Sequence, residues 1–266
     1  MQLRASPVKE VALAAGLPVL QPANARSEEL VGALSELRAD VAVVVAYGKI
    51  LPAALLGVTP KGFVNVHFSL LPKYRGAAPV QRTLMEGATQ TGVTIMVLTE
   101  GMDEGPILAS EPTPIEASET SGELGARLAD VGADLLARTL PSYLSGELVP
   151  EPQDHQRATY APKVTGEEAR IDWGTSARAV ADHVRGLNPD PVAWTTFRGK
   201  RVRILRTEPG PQGTLEPGEL DAGEGLVAGT GHGVVRLVEL QMPGKRPMEG
   251  EQVARGLRLE RGERLI

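Results

Sequence analysis

A chain of 266 residues, with 42% hydrophobic and 23% charged side chains, can bury one large core or two modest ones. It has no cysteine, which excludes disulfides, thiolate nucleophiles and Cys-based zinc sites, and no apolar run approaches the ~18 residues that span a bilayer. Aromatic residues make up only 3%, which argues against single-strand nucleic-acid binding by base stacking. The N-terminus lacks a basic segment followed by an apolar one, so the cytoplasm is the expected location. The net charge of −5 is uneven: residues 1–159 sum to −6 and residues 160–266 to +1. Arg198, Lys200, Arg201, Arg203 and Arg206 concentrate the basic excess within nine residues, either as a polyanion contact or as a plain solvated strand face.

Taken in chain order, Ser6-Pro7 predicts an N-cap followed by proline in the first turn of a helix that Gly16 ends. A short strand is expected at Leu17 to Leu20. Ser27 caps a second helix, with Glu28 and Glu29 in its first turn and Leu30, Leu34 and Leu37 along one face. Val41 to Val45 is β-branched on both faces, the mark of a central parallel strand. Pro79 to Glu86 predicts a helix, Gly92 to Leu98 a buried strand, and Leu124, Leu128, Val131 and Leu135 a longer helix from about Ser121. This alternation predicts a doubly wound α/β domain over residues 1–145. The chain opens on a helix, with no strand and no glycine-rich turn before it.

Pro141 to Lys163 is rich in proline and polar residues, and a linker is placed at 146–163. Within residues 164–266, Ser176 to Leu187 predicts a helix stopped by Asn188-Pro189. Val192 to Phe197, Lys200 to Leu205, Gly225 to Ala228 and Val234 to Leu240 are short strands between Gly/Pro-rich turns. That pattern predicts a small antiparallel β-barrel, OB-like in kind.

The chemistry gathers at Gly62 to Gly76. Phe63 to Phe68 is an apolar strand interrupted by Asn65 and His67, which alternation places on one face. An amide and an imidazole at the carboxyl end of a buried strand sit where open α/β sheets bind ligands. A hydrogen-bonded core pair is the competing reading, because buried polar groups need partners. His155, His183 and His232 fall in a linker, on a polar helix face and in a glycine-rich loop, and are expected to be ordinary surface residues. No convergent ligand set suggests a metal, and no G-x-S-x-G or Walker pattern is present. Asp103, between Gly101 and Gly105 just past the Gly92–Leu98 strand, is the best acidic partner for His67, unless it serves only to form a turn.

Asn65-Val66-His67, Ser69-Leu70-Leu71-Pro72, Arg75-Gly76-Ala77-Ala78-Pro79 and Gly101-Met102-Asp103-Glu104-Gly105-Pro106 together resemble the core of the folate-dependent formyltransferases. Ala46-Tyr47-Gly48-Lys49-Ile50-Leu51-Pro52 is similar to the pterin-side loop of that fold. Among its members, those that formylate initiator methionyl-tRNA are favoured by Ser6-Pro7-Val8-Lys9, Arg170-Ile171-Asp172-Trp173, Arg185-Gly186-Leu187-Asn188-Pro189, Thr195-Thr196-Phe197, and Leu240-Gln241 with Gly244-Lys245. Members acting on a UDP-aminosugar have a similar second domain and remain the alternative; a fragment that only binds RNA is the alternative of another class.

The resemblance implies 10-formyltetrahydrofolate as co-substrate, no metal, and initiator methionyl-tRNA as partner, acting as a monomer without membrane or DNA. It implies Asn65 as oxyanion donor and His67, oriented by Asp103, as proton relay or as an imidazolium kept charged by that carboxylate. It further implies Ser69, Leu70, Leu71, Pro72, Lys49, Ile50 and Leu51 around the folate, and Lys200, Arg201, Arg203 and Arg206 on tRNA phosphates. The family opens with a βαβ unit and a basic loop that helps grip the tRNA acceptor end. This sequence starts near the end of that loop, so an N-terminally shortened catalytic domain is expected.

Overall fold

The computed structural model describes residues 5–22, 24, 27–223 and 225–266. Helix α1 (Pro7–Ala14) starts where Ser6 accepts the Lys9 amide at 3.3 Å, and α2 (Glu28–Glu36) where Ser27 accepts that of Leu30 at 3.2 Å. Each serine thereby satisfies an amide that the first helical turn leaves without a partner. After them come β1 (Ala42–Val45), α3 (Ala53–Leu56), β2 (Phe63–His67), α4 (Pro79–Met85), β3 (Gln90–Val97), β4 (Ile107–Pro114) and α5 (Ser121–Ser145).

The four strands form one sheet in the order β1-β2-β3-β4, parallel between β1 and β2 and antiparallel across the other two pairings. Alternation along β2 divides its side chains between two cores. Val64 and Val66 pack under α5 with Leu124, Leu128 and Leu135, and Phe63 packs on the other face with Leu30, Leu51 and Leu55. Leu124 and Leu128 are fully buried, each contributing roughly 1.5–3 kcal/mol of apolar burial. A capping box fixes the start of α5: Thr120 accepts the Glu123 amide while Glu123 accepts that of Thr120. No helix among the described residues is long and apolar enough to cross a membrane.

Several elements differ from expectation. Residues 17–20 form no strand; the Leu17 amide instead closes onto the Ala12 carbonyl at the end of α1. β1 lies at the sheet's edge, with Val43 and Val45 exposed. β4 was not anticipated because Pro112 and Pro114 interrupt it; an edge strand tolerates them, since half its amides point away from the ladder. α5 continues through Pro141 to Ser145 and ends on Gly146 in the left-handed region, so the following segment begins later than Pro141.

The second half comprises α6 (Ala177–Gly186), β5 (Trp194–Phe197), β6 (Lys200–Pro209), β7 (Leu220–Asp221), β8 (Val227–Gly229), β9 (Val234–Gln241), β10 (Met248–Glu249) and α7 (Gly250–Gly256). Its antiparallel sheet runs β5-β6-β9-β8-β7, with β10 added to β9. Register shifts around Arg206 curl β6 as it pairs with β9. Inside the curl, Val180 and Val184 of α6, with Leu187 just past its end, meet Val202, Ile204, Val235 and Leu237. β7, β10 and α7 are too short to leave a periodic signal in the sequence.

The two halves meet where α4 packs on α6 and where Ser121 Oγ donates to the Asn188 carbonyl at 2.7 Å. Residues 151–161 are a strap laid along the first half. Glu151 and Ile107 exchange amide bonds at 2.7 and 2.8 Å, and Arg75 donates its amide to Thr159 O at 2.9 Å and accepts that of Ala161 at 2.7 Å.

Candidate active site

Three backbone segments converge at the end of β2. The strand supplies Asn65 and His67, the loop after it supplies Tyr74 to Gly76, and the turn after β3 supplies Asp103. His67 is buried, and its Nε2 lies 2.9 Å from the Tyr74 carbonyl. A carbonyl can only accept, so Nε2 carries the proton. Nδ1 then points toward Asp103, whose Oδ2 is 3.7 Å away. That same Oδ2 accepts the Gly76 amide at 2.8 Å. Loop 74–76 therefore orients both the imidazole and the carboxylate.

Burial pushes the His67 imidazole below its ordinary value, and this outweighs the upward pull of the Asp103 carboxylate and the Tyr74 carbonyl. The ring is consequently neutral near pH 7, with its Nδ1 lone pair available. Of the two expected roles, desolvation opposes the imidazolium and favours the proton relay.

A cavity of about 600 Å³ opens onto this group, bounded by Asn65, His67 and Asp103 on one side and the 46–51 loop on another. Val44, Leu51 and Leu98 make part of its wall apolar. The Asn65 side chain lines it and has no hydrogen-bond partner among the described residues. It is thus a donor aimed at whatever fills the space.

Lys49, Ile50 and Leu51 line the cavity. Ser69, Leu70, Leu71 and Pro72 do not. Past His67 the chain turns onto β3, where Thr94 Oγ1 donates to Ser69 O at 2.7 Å and accepts the Leu71 amide at 3.1 Å. Ser69 Oγ donates to Lys73 O at 2.7 Å, and Leu70 packs over Gly92. These four residues shape the turn that delivers loop 74–76.

The basic residues separate. Lys200, Arg201 and Arg203 are exposed on β6. Arg201 stacks at 4.2 Å over the Trp194 ring, which Arg170 approaches at 5.8 Å. Arg206 instead pairs with Glu123 in the first turn of α5, beside the cavity-lining Ser121. The Thr120 amide, then Arg206, hold the Glu123 carboxyl down at about 2. β6 therefore runs from an exposed basic face to an ion pair with α5.

Four participants escaped the sequence reading: the Tyr74 carbonyl, the Gly76 amide, and the side chains of Arg75 and Gln153. The first two are backbone groups. Gln153 sits between Pro152 and Asp154 in a stretch without periodicity, and only the Arg75-Gly76 pair within the core motif pointed toward the first three.

The formyl transferase family model matches residues 1–140, and the model of the formyl transferase C-terminal domain matches residues 163–258. The methionyl-tRNA formyltransferase of Streptomyces coelicolor is 45% identical over 266 residues, covering 99% of this chain and 86% of that one. The corresponding protein of Thermus thermophilus is 46% identical, covering 98% and 85%. Among solved structures, HypX from Aquifex aeolicus in complex with tetrahydrofolic acid superposes with a TM-score of 0.67 at 20% identity, over 85% of this chain and 40% of that one. An N-formyltransferase from Helicobacter canadensis gives 0.68 at 15% identity, over 86% and 81%. At that distance the two structures speak to the fold alone. On sequence, the chain belongs to the formyltransferase family, in its methionyl-tRNA formyltransferase branch.

Proposed function

We propose that the protein transfers the formyl group of 10-formyltetrahydrofolate to the α-amine of methionyl-initiator tRNA. In this reading residues 1–145 carry the catalysis and residues 164–266 hold the tRNA. The observation that carries the proposal is the placement of His67, its Nε2 on the Tyr74 carbonyl and its Nδ1 facing Asp103, beside the Asn65 amide, which has no hydrogen-bond partner among the described residues.

The co-substrate supplies the formyl carbon: one N–C bond forms to the amine, the bond to the folate nitrogen breaks, and one proton moves from amine to folate nitrogen. The Asn65 amide donates to the formyl oxygen as charge gathers on it, worth about 3–4 kcal/mol by analogy with other oxyanion donors. His67 Nδ1 accepts the proton that the attacking amine releases. Asp103 stabilises the resulting imidazolium, which returns the proton to the departing nitrogen. The loop at Lys49 to Leu51 and the apolar wall give a flat heterocycle a place to lie, and a cavity of about 600 Å³ is in the range of ligand sites. Arg201 and Arg203 on the exposed face of β6 suit phosphates.

The high identity to methionyl-tRNA formyltransferases favours this acceptor over an aminosugar, since the N-formyltransferase from Helicobacter canadensis in complex with dTDP-3-aminofucose is only 15% identical. Incubating the folded protein with 10-formyltetrahydrofolate and methionyl-initiator tRNA tests it. Formylated methionyl-tRNA is the expected product, and its absence contradicts the proposal.

A further inference from the structure

Gln153 is buried, with 6% of its surface exposed, although it lies in a proline-rich segment between the two halves. Its Nε2 donates to the Asp103 carbonyl at 2.9 Å and to the Gly105 carbonyl at 2.7 Å. Its Oε1 accepts from Arg75 Nε at 3.1 Å and Nη2 at 2.7 Å. Every hydrogen-bonding position of the amide is directed at one of two segments: the turn that carries Asp103, or the loop that orients His67.

The surroundings show how much that amide holds. Arg75 is 2% exposed and makes no ion pair among the described residues; besides Gln153, its guanidinium meets only His155 Nδ1, at 3.4 Å. A buried cation without a carboxylate depends on its neutral acceptors. Asp103 has φ of +49°, in the left-handed region where a residue with a side chain stays only if its neighbours hold it. Gly76 approaches the strap so closely that a Cβ there would lie 2.9 Å from the Ala161 carbonyl. The strap is thus keyed to the same loop at Arg75, Gly76 and Gln153.

We infer that Gln153 is a positioning residue for the reaction: the strap between the two halves, through Gln153, clamps the Asp103 turn to loop 74–76 and so sets the carboxylate against His67. This rests on the proposed reaction for its kinetic consequence, and on geometry alone for the His67–Asp103 relationship. The charged groups around His67 are Asp103 from the turn after β3, Lys49 and Glu100 on the same cavity, and Arg75 with His155 behind the loop. Of these, Asp103 is the one acting on the ring, and it raises the affinity for a proton. Releasing the turn therefore makes His67 harder to protonate.

Two variants separate positioning from mere structure. Gln153→Met removes every bond. Gln153→Glu keeps an acceptor for Arg75, and so the buried cation's partner, while losing both donors to the Asp103 turn. Each is compared with the wild type by formylation kinetics and by NMR titration of His67, its signal assigned by its loss in His67→Gln. Both variants are expected to lower kcat by about tenfold or more, with KM for the tRNA unchanged, because a misplaced catalytic group costs rate and not binding. Both are also expected to lower the midpoint at which His67 titrates. If Gln153→Glu retains the wild-type kcat, or Gln153→Met leaves the His67 midpoint unmoved, Gln153 is only a partner for Arg75 and the inference is overturned. An inactive wild type defeats the proposed reaction, and the His67 titration still decides whether the clamp exists.

Discussion

His67 Nδ1 and Asp103 Oδ2 stand 3.7 Å apart, and both groups are held by one three-residue loop, through the Tyr74 carbonyl and the Gly76 amide. The pair is an ion pair only when the ring is protonated, and burial resists that state. The arrangement suits a base that takes a proton and finds a counter-charge waiting.

The first prediction concerns the ring itself. His67 is expected to titrate below its ordinary 6.5, and further below in Asp103→Asn, because the carboxylate favours the charged form. Histidine NMR signals followed against pH decide this. A midpoint above 6.5 in the wild type would contradict the neutral assignment.

Stability should follow the same ionisation. Burial lowers the proton affinity of both His67 and His183 in the folded state. Below the ordinary 6.5 the unfolded chain binds more protons than the folded one, so stability falls as pH drops from 6.5 toward the folded midpoints. Denaturant unfolding at pH 7.5 and at pH 5.5 measures the loss, and His67→Gln should reduce it. An identical loss in that variant would exclude His67 as a source.

The basic face of β6 should act through counterion release. Arg201→Ala and Arg203→Ala are each expected to weaken tRNA binding and to flatten its dependence on log salt by about one unit. Arg206 already faces Glu123, so Arg206→Ala should change the salt slope less. Equal slopes in all three variants and the wild type would return this strand to an ordinary solvated face.

The turn carrying Asp103 has no room to adjust at Gly105, where a Cβ would stand 1.9 Å from the Val97 carbonyl. Gly105→Ala must therefore move backbone on one side or the other. A fall in kcat of about tenfold or more is expected, since small misplacements of a catalytic group are costly. Unchanged kcat would show that the turn can shift without displacing the carboxylate.

Much of this was legible in the sequence because the signals were local. Ser6, Ser27 and Ser176 cap the helices they announce, and alternation along 63–67 put Asn65 and His67 on one face of β2, as found. β4 escaped because Pro112 and Pro114 disguise an edge strand. The sequence left the charge state of His67 open between relay and imidazolium, because burial depends on tertiary packing whereas the acidic neighbour could be read from the motif. Ser69 to Pro72 were placed in the cavity because a loop's direction after a strand depends on what it packs against, here Thr94. Gln153 gave no sign at all, since its partners are far away in sequence, as much as 78 residues for Arg75.

The most direct measurement is single-turnover formylation of methionyl-initiator tRNA by the wild type, Asn65→Ala and His67→Ala, each shown to be folded by its circular dichroism and melting temperature. The wild type should transfer the formyl group, and each variant should be slower by about 100-fold or more. A folded wild type that leaves the tRNA unformylated, or a variant at the wild-type rate, would contradict the account.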